Sequence, residues 1–184
     1  MTDNIQTTEE ILQCFDENRN PTEGQPRSLV KIEPRKYWCG VSNIWVVNKK
    51  GQLLCSKRVF LRSKGNSGKW QSYFGGHLQL GSSFGETAVK ELKEEAGIAI
   101  SLEDLFLVDA GRYEHEKKFY ENFVILYDGP IDLSKTDGEV TEVRWLDMDR
   151  YWQESQIKNP ENWCHACKPE HQKVIRAWLA RKLR

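Results

Sequence analysis

Between Gly75 and Ile98 the chain carries a glycine pair, a helix start and a helix stop in quick succession, and these signals constrain its local fold more than any other segment. Ser83-Phe84-Gly85-Glu86 has the Ser-x-x-Glu form of a capping box, which predicts a helix beginning at Ser83. Gly97 is suited to end that helix in the left-handed conformation, leaving about three and a half turns between the two signals. Spacings of three and four residues set Glu91, Glu94 and Glu95 on one side of the helix. Like charges so placed repel by a few tenths of a kcal/mol per pair, a penalty that a bound divalent cation removes. The preceding stretch, Gly75-Gly76-His77-Leu78-Gln79-Leu80-Gly81-Ser82, permits close backbone approach, and the helix N-terminus behind it attracts anions. A glycine-rich turn, a helix start and three carboxylates together suit a diphosphate bridged through Mg²⁺, with Mn²⁺ as an alternative, because such hard ions prefer carboxylate and phosphate oxygens. A cation there would orient the diphosphate and acidify a water while a carboxylate takes the proton.

Around this segment strands predominate. Val41 to Asn48 is rich in β-branched and aromatic residues, Asn48-Lys49-Lys50-Gly51 has the composition of a hairpin turn, and Gln52 to Phe60 resumes as a partner strand. Arg62 to Lys69 is a predicted loop, followed by a short strand from Trp70 to Phe74. Further strands are expected over Leu105 to Tyr113, Phe119 to Asp128 and Val140 to Leu146. From Glu170 onward Val174, Ile175, Trp178, Leu179 and Leu183 are spaced for one apolar helix face. The class is therefore α+β with a mixed β-sheet. Residues 1–35 are expected to form a polar N-terminal extension packing on the core, with a loop or hairpin at Asp16 to Pro21. Residues 36–150 form the main domain, and 151–184 a C-terminal helical extension of it.

At 184 residues the chain is of a size that makes one compact domain. Lys plus Arg and Asp plus Glu both total 27, so no general field attracts a nucleic acid duplex, and phosphate binding must be local. No apolar run approaches a membrane span or a secretion leader, so no membrane partner is expected and a cytoplasmic location is. The five cysteines, Cys14, Cys39, Cys55, Cys164 and Cys167, are odd in number and scattered, which argues for reduced thiols. Cys164 and Cys167 with His165 and His171 only partly match a zinc pattern, and a loop entering the last helix is the simpler reading.

The run Gly76-HLQLG-Ser82-SFGETAV-Lys90-Glu91-Leu92-Lys93-Glu94-Glu95-Ala96-Gly97-Ile98 resembles the Nudix box, G-x5-E-x7-R-E-U-x-E-E-x-G-U. Gly76, Glu91, Glu94, Glu95 and Gly97 match its fixed positions, and Leu92 and Ile98 its aliphatic ones. Ser82 and Lys90 replace the Glu and Arg that brace loop against helix in the family, and Glu86, four residues before Lys90, is placed to take over part of that bracing within the helix. The resemblance implies the Nudix α/β/α sandwich and Mg²⁺-dependent hydrolysis of a diphosphate linkage in a nucleotide or related small molecule. It assigns Glu91, Glu94 and Glu95 as metal-binding and catalytic carboxylates.

FDENRNP near residue 15, IWVVNKKGQLLCSKR and GHLQLGSS are further similar to the branch containing isopentenyl diphosphate isomerase. That enzyme places a cysteine before its Gly-His pair, histidine metal ligands on the N-terminal side, and two alternate glutamates on a later strand. Here Gly75 precedes Gly76-His77, Cys39 is the nearest counterpart to a histidine, and Glu121-Asn122-Phe123 keeps only the first glutamate. An isomerase-like hydrolase fits these residues better than an isomerase, and a non-catalytic diphosphate-binding module is the third reading.

Nudix enzymes often take their general base from the box or from a later loop, which adds Glu139 and Glu142 to Glu91 as candidates, Glu142 being the one carried forward. Gly75, Gly76 and His77 are assigned to the phosphate turn, with Arg58 and Arg62 placed to steer the distal phosphate. Trp70 and Phe74 are candidates for stacking on a base, although aromatics at strand spacing more often fill a core. Many Nudix enzymes pair, and the polar N-terminal arm leaves room for a homodimer.

Overall fold

The computed structural model of the protein describes residues 9–61, 66–164 and 167–184. In chain order the elements are β1 (Ile11–Phe15), β2 (Pro21–Pro26), α1 (Arg27–Val30), β3 (Trp38–Val47), β4 (Gln52–Arg58), β5 (Trp70–Gln71), β6 (Phe74–His77), α2 (Phe84–Ala96), β7 (Phe106–Tyr113), β8 (Lys118–Leu126), β9 (Val140–Asp147), α3 (Met148–Trp152) and α4 (Pro169–Lys182). The strands form one mixed sheet organised around β3. Along one edge β3 pairs in parallel with β8, from Cys39 opposite Lys118 to Val47 opposite Leu126. Its other edge is shared in succession by β1, β6 and β4, all antiparallel. Outside these, β7 pairs with β8 and β9 with β4.

Alternation along the strands divides the side chains between two cores, since successive residues point to opposite faces. Ile44 and Val46 of β3, Leu54 of β4 and Phe123 of β8 pack with Phe84, Ala88, Leu92 and Ala96 of α2. Their neighbours Trp45, Val47, Leu53, Cys55 and Val124 pack instead with Met148 and Tyr151 of α3 and Ile175, Trp178 and Leu179 of α4. The central strands are thus apolar on both faces, which produces the continuous hydrophobic runs seen in the sequence. Helices on either side of the sheet make the α/β/α sandwich expected for the chain.

The hairpin expected after Val41 is present, with Gly51 at φ +76° and its amide bonded to the Asn48 carbonyl at 2.9 Å. The single strand expected over Trp70 to Phe74 is instead two: β5 pairs with β4 and β6 with β3, because the chain crosses between partners at Ser72 and Tyr73. The N-terminal turn is a hairpin whose arms, β1 and β2, extend the sheet, Cys14 pairing with Cys39. Only Gln13 of the five residues of β1 is polar, and Leu12 and Cys14 are buried with Val30 and Cys39. Among the described residues no helix is long and apolar enough to cross a membrane.

Candidate active site

The capping box forms as its spacing predicts. The Ser83 hydroxyl accepts from the Glu86 amide at 3.2 Å, and the Glu86 carboxylate accepts from the Ser83 amide at 2.8 Å. Gly97 closes α2 at φ +68°, its amide bonded to the Lys93 carbonyl. With Phe84, Ala88, Leu92 and Ala96 facing the core, Glu91 and Glu95 lie one position away and are carried toward β6. There the glycine pair allows close approach, and at Gly75, where the neighbour is backbone, it is a steric requirement. A Cβ on Gly76 would sit 2.3 Å from a Glu91 carboxylate oxygen, and one on Gly75 would sit 2.2 Å from the Ser42 carbonyl oxygen. The Gly75 amide donates to Glu95 Oε2 at 3.2 Å.

Two carboxyl groups are therefore packed between a helix and a strand. Burial pushes the Glu95 pKa up to about 8, assisted by the charge of Glu91 and opposed by the Gly75 amide and Arg58. Burial likewise raises Glu91 to about 7, with Lys90 opposing and Glu94 and Glu139 reinforcing. Glu94 is more exposed and turns to Lys90, 2.8 Å away. Among the described residues no three Asp, Glu, His or Cys side chains are grouped so as to hold a metal ion. The arrangement is an open one, with two carboxyls together and the third beside them on the same helix face.

Lys90 bonds forward to Glu94, not back to Glu86, so the expected Glu86 to Lys90 brace does not form. Glu86 is engaged by the cap instead. Arg58, at the end of β4, extends to Gln71 at 3.2 Å and to Glu139 at 3.4 Å, and its charge acts on Glu95. Glu142 does not join this group: it is exposed and bonded to Lys57 at 2.8 Å across the β4 and β9 pair. Arg62 lies outside the described residues.

His77 stands apart from the carboxylates. It follows Gly76 on β6 and so faces away from Glu91. Burial pushes its pKa down to about 3, and the charges of Arg27, Lys31, Lys118 and Arg35 act in the same direction. Trp70 and Phe74 belong to the framework. Phe74 is fully buried, and Trp70 holds the Arg144 guanidinium 4.1 Å from its ring while Arg144 pairs with Glu154 at 2.9 Å. The described members of the cysteine and histidine cluster are dispersed: Cys167 is buried in the α4 core, and His171 faces Asp109 at 3.4 Å. His165 lies outside the described residues.

Two groupings near the site escaped the sequence. Gln71 comes from a two-residue strand without a distinguishing pattern. Arg19, at φ +67° in the β1 to β2 turn, pairs with Glu121 and lies 4.5 Å over the Phe84 ring, a contact spanning 102 positions. The turn residues before Pro21 mark the bend but not its partner.

Solved structures similar in fold include DR0079 from Deinococcus radiodurans, with a TM-score of 0.65 at 18% identity over 91% of this chain and 98% of that one. The MutT protein of Methanosarcina mazei Go1 has a TM-score of 0.52 at 18% identity, covering 80% of this chain and 96% of its own. In sequence, the chain is similar to isopentenyl-diphosphate Delta-isomerase of Escherichia coli O127:H6 (strain E2348/69 / EPEC), 30% identical over 110 residues and 56% of this chain. This chain spans 59% of that relative's length. Residues 36–166 match the NUDIX domain. Because that match takes in most of the chain together with the whole box at 76–98, the protein belongs to the Nudix family.

Proposed function

We propose that this protein is a Mg²⁺-dependent hydrolase that cleaves a diphosphate linkage in a nucleotide or related small molecule, with Mn²⁺ as an alternative metal. The observation that carries the reading is the pair Glu91 and Glu95, held against the backbone of Gly75 and Gly76. Two carboxyls so crowded are held above their ordinary pKa, and a cation beside them relieves that penalty. Mg²⁺ suits an open pair better than a closed cage, because it binds through one or two carboxylates and completes its shell with water and substrate phosphates. Glu91 and Glu95 would hold it, with Glu94 in reach on the same helix face. When bound, the ion supplies charge neutralisation for the diphosphate and a more acidic water. Glu91 is also the carboxylate of this pair assigned to take the proton of that water. Arg58, fixed by Gln71 and Glu139, offers positive charge to a phosphate beside Glu95. Glu142 has no part in this arrangement.

The isomerase reading meets a specific obstacle. The position before Gly76-His77, where the isomerase has a cysteine, holds Gly75, and any side chain there collides with the Ser42 carbonyl. Cys39, the counterpart of a histidine, is a buried thiol pushed up to about 11 by desolvation. Glu121, the remaining glutamate, is paired with Arg19.

The test is release of phosphate or pyrophosphate from a panel of diphosphate compounds with Mg²⁺ or Mn²⁺, comparing the native chain with the double variant Glu91→Gln, Glu95→Gln. Metal-induced thermal stabilisation is followed in parallel. Turnover and stabilisation, both lost in the variant, are expected. Stabilisation without turnover on any compound returns the chain to a binding module, and double-bond migration without phosphate release returns it to the isomerases.

A further inference from the structure

The segment Leu78 to Ser83 carries the chain from the end of β6 to the cap of α2. Its path decides how α2 is seated on β6, and therefore where Glu91 and Glu95 come to lie. Lys90, which turns forward to Glu94, does not reach back to hold it. The hold comes from the N-terminal hairpin. The Gln13 backbone amide donates to the Leu78 carbonyl and the Leu80 amide to the Ile11 carbonyl, each at 2.9 Å, around an antiparallel bridge from Leu12 to Gln79. The Gln79 side-chain amide reaches the Glu10 carboxylate at 3.3 Å. Leu80 lies over β2, where a Cβ on Gly24 would meet its methyl group at 2.9 Å.

The side chain of Gln13 completes this hold. It is buried, and its nitrogen donates to the Cys14 carbonyl at 2.8 Å and the Thr22 carbonyl at 3.1 Å. Both donors are thereby used, which turns the side-chain carbonyl oxygen to the Gly81 amide at 3.1 Å. Gly81, at φ +82°, makes the turn that leads to the cap. A buried glutamine satisfied by its neighbours is ordinarily a packing group. Here the same hairpin also grips the first turn of the helix: the Phe15 ring stacks on Phe84 with centroids 6.1 Å apart, and the Arg19 guanidinium lies 4.5 Å over that ring. One hairpin thus holds both ends of the joint between β6 and α2, and the charge of Glu10 acts on Lys90 and Glu91.

We propose that Gln13 is a positioning residue of the site. Through Gly81 it locks the segment 78–82 to the N-terminal hairpin, and so fixes α2 on β6 at the spacing that brings Glu91 and Glu95 to Gly76 and Gly75. The inference rests on the proposed hydrolase reading for the use made of these carboxyls. Releasing the Gly81 amide lets the segment shift, and a displacement of about 1 Å at a catalytic group costs about a hundredfold in rate. By reciprocity, a metal that binds better when the segment is seated must itself tighten the seating.

The test compares the full native chain with Gln13→Met, which keeps the length of the side chain and removes its polar atoms, and with Ile175→Val, a truncation in the core on the opposite face of the sheet. Mn²⁺ affinity is read by calorimetry, and turnover on the diphosphate compound that responds best. Gln13→Met is expected to bind Mn²⁺ at least about tenfold more weakly and to turn over on the order of a hundredfold more slowly, with Ile175→Val close to native in both. Native affinity and turnover in a folded Gln13→Met overturn the inference, as does an equal loss in Ile175→Val, which would make the effect one of general stability. Should Gln13→Met fail to fold, hydrogen exchange in the native chain decides: saturating Mg²⁺ should slow the Gly81 amide at least about tenfold beyond any slowing at Ile175, and equal slowing overturns the inference. A chain that hydrolyses nothing, yet loses Mn²⁺ affinity in Gln13→Met, keeps this inference and loses the hydrolase reading. A native chain that binds no Mn²⁺ loses both.

Discussion

The amide of Gly75 donates to the carboxylate of Glu95 at 3.2 Å, joining a strand that has no room for a side chain to a helix that carries a buried acid. That contact draws α2 onto β6 closely enough for the Glu91 carboxylate to lie against Gly76 as well. The two carboxyls repel, and without a cation their ionisation opposes folding.

Stability should therefore depend on pH in a definite direction. The folded pKa values, about 7 for Glu91 and about 8 for Glu95, lie above the ordinary 4.5, so between these limits the native chain keeps protons that the unfolded chain has lost. The contribution is fully present below about pH 4.5, declines as pH rises, and levels off above about pH 8. Urea unfolding should show this decline, worth at most about 3 kcal/mol for Glu91 and about 5 kcal/mol for Glu95, and the double variant Glu91→Gln, Glu95→Gln should flatten it. Equal slopes in the two proteins would show that these carboxyls do not govern it.

Metal binding should release protons through the same groups. Mg²⁺ or Mn²⁺ affinity is expected to rise from about pH 6 to about pH 8, with a calorimetric heat that varies with the ionisation enthalpy of the buffer. A heat independent of buffer would place the metal elsewhere.

Introducing the isomerase's cysteine by Gly75→Cys should cripple the fold and not restore isomerisation. The Ser42 carbonyl is backbone and has no rotamer to adopt, so a loss of about 3 kcal/mol or more is expected on denaturation. A stable variant with isomerase activity would reverse the assignment.

Glu142→Gln should be nearly silent. Its partner Lys57 and Glu142 itself are both substantially exposed, so stability should change by less than about 1 kcal/mol and turnover by less than about twofold. A large loss of turnover would make Glu142 the base after all.

Ser83→Ala removes the acceptor for the Glu86 amide and should cost about 1 kcal/mol, with weaker metal binding as the first turn of α2 frays. Ser83→Asp, which keeps the cap, should restore both.

Much of the fold was legible because its causes are local. The Ser83 to Glu86 box, the left-handed Gly97 and the turn at Asn48 to Gly51 are decided by neighbours within four residues, and apolar spacing marked the face of α4 on which Ile175, Trp178 and Leu179 are buried. The order of Glu91, Glu94 and Glu95 along one helix was likewise settled by the chain itself. What tertiary structure alone decided depends on strands meeting across long separations. It brought Arg19 to Glu121, placed Gly75 between Glu95 and Asn43, and joined Asn43 through Asn122 to Asp109. It also turned Lys90 to Glu94 once Glu86 was taken by the cap, and left Glu142 on the open surface while its neighbour Glu139 reached Arg58. Local rules state which groups a helix or turn presents. The pairing register of β3 with β6 and β8, set by burial on both faces of the sheet, determines which of those groups meet.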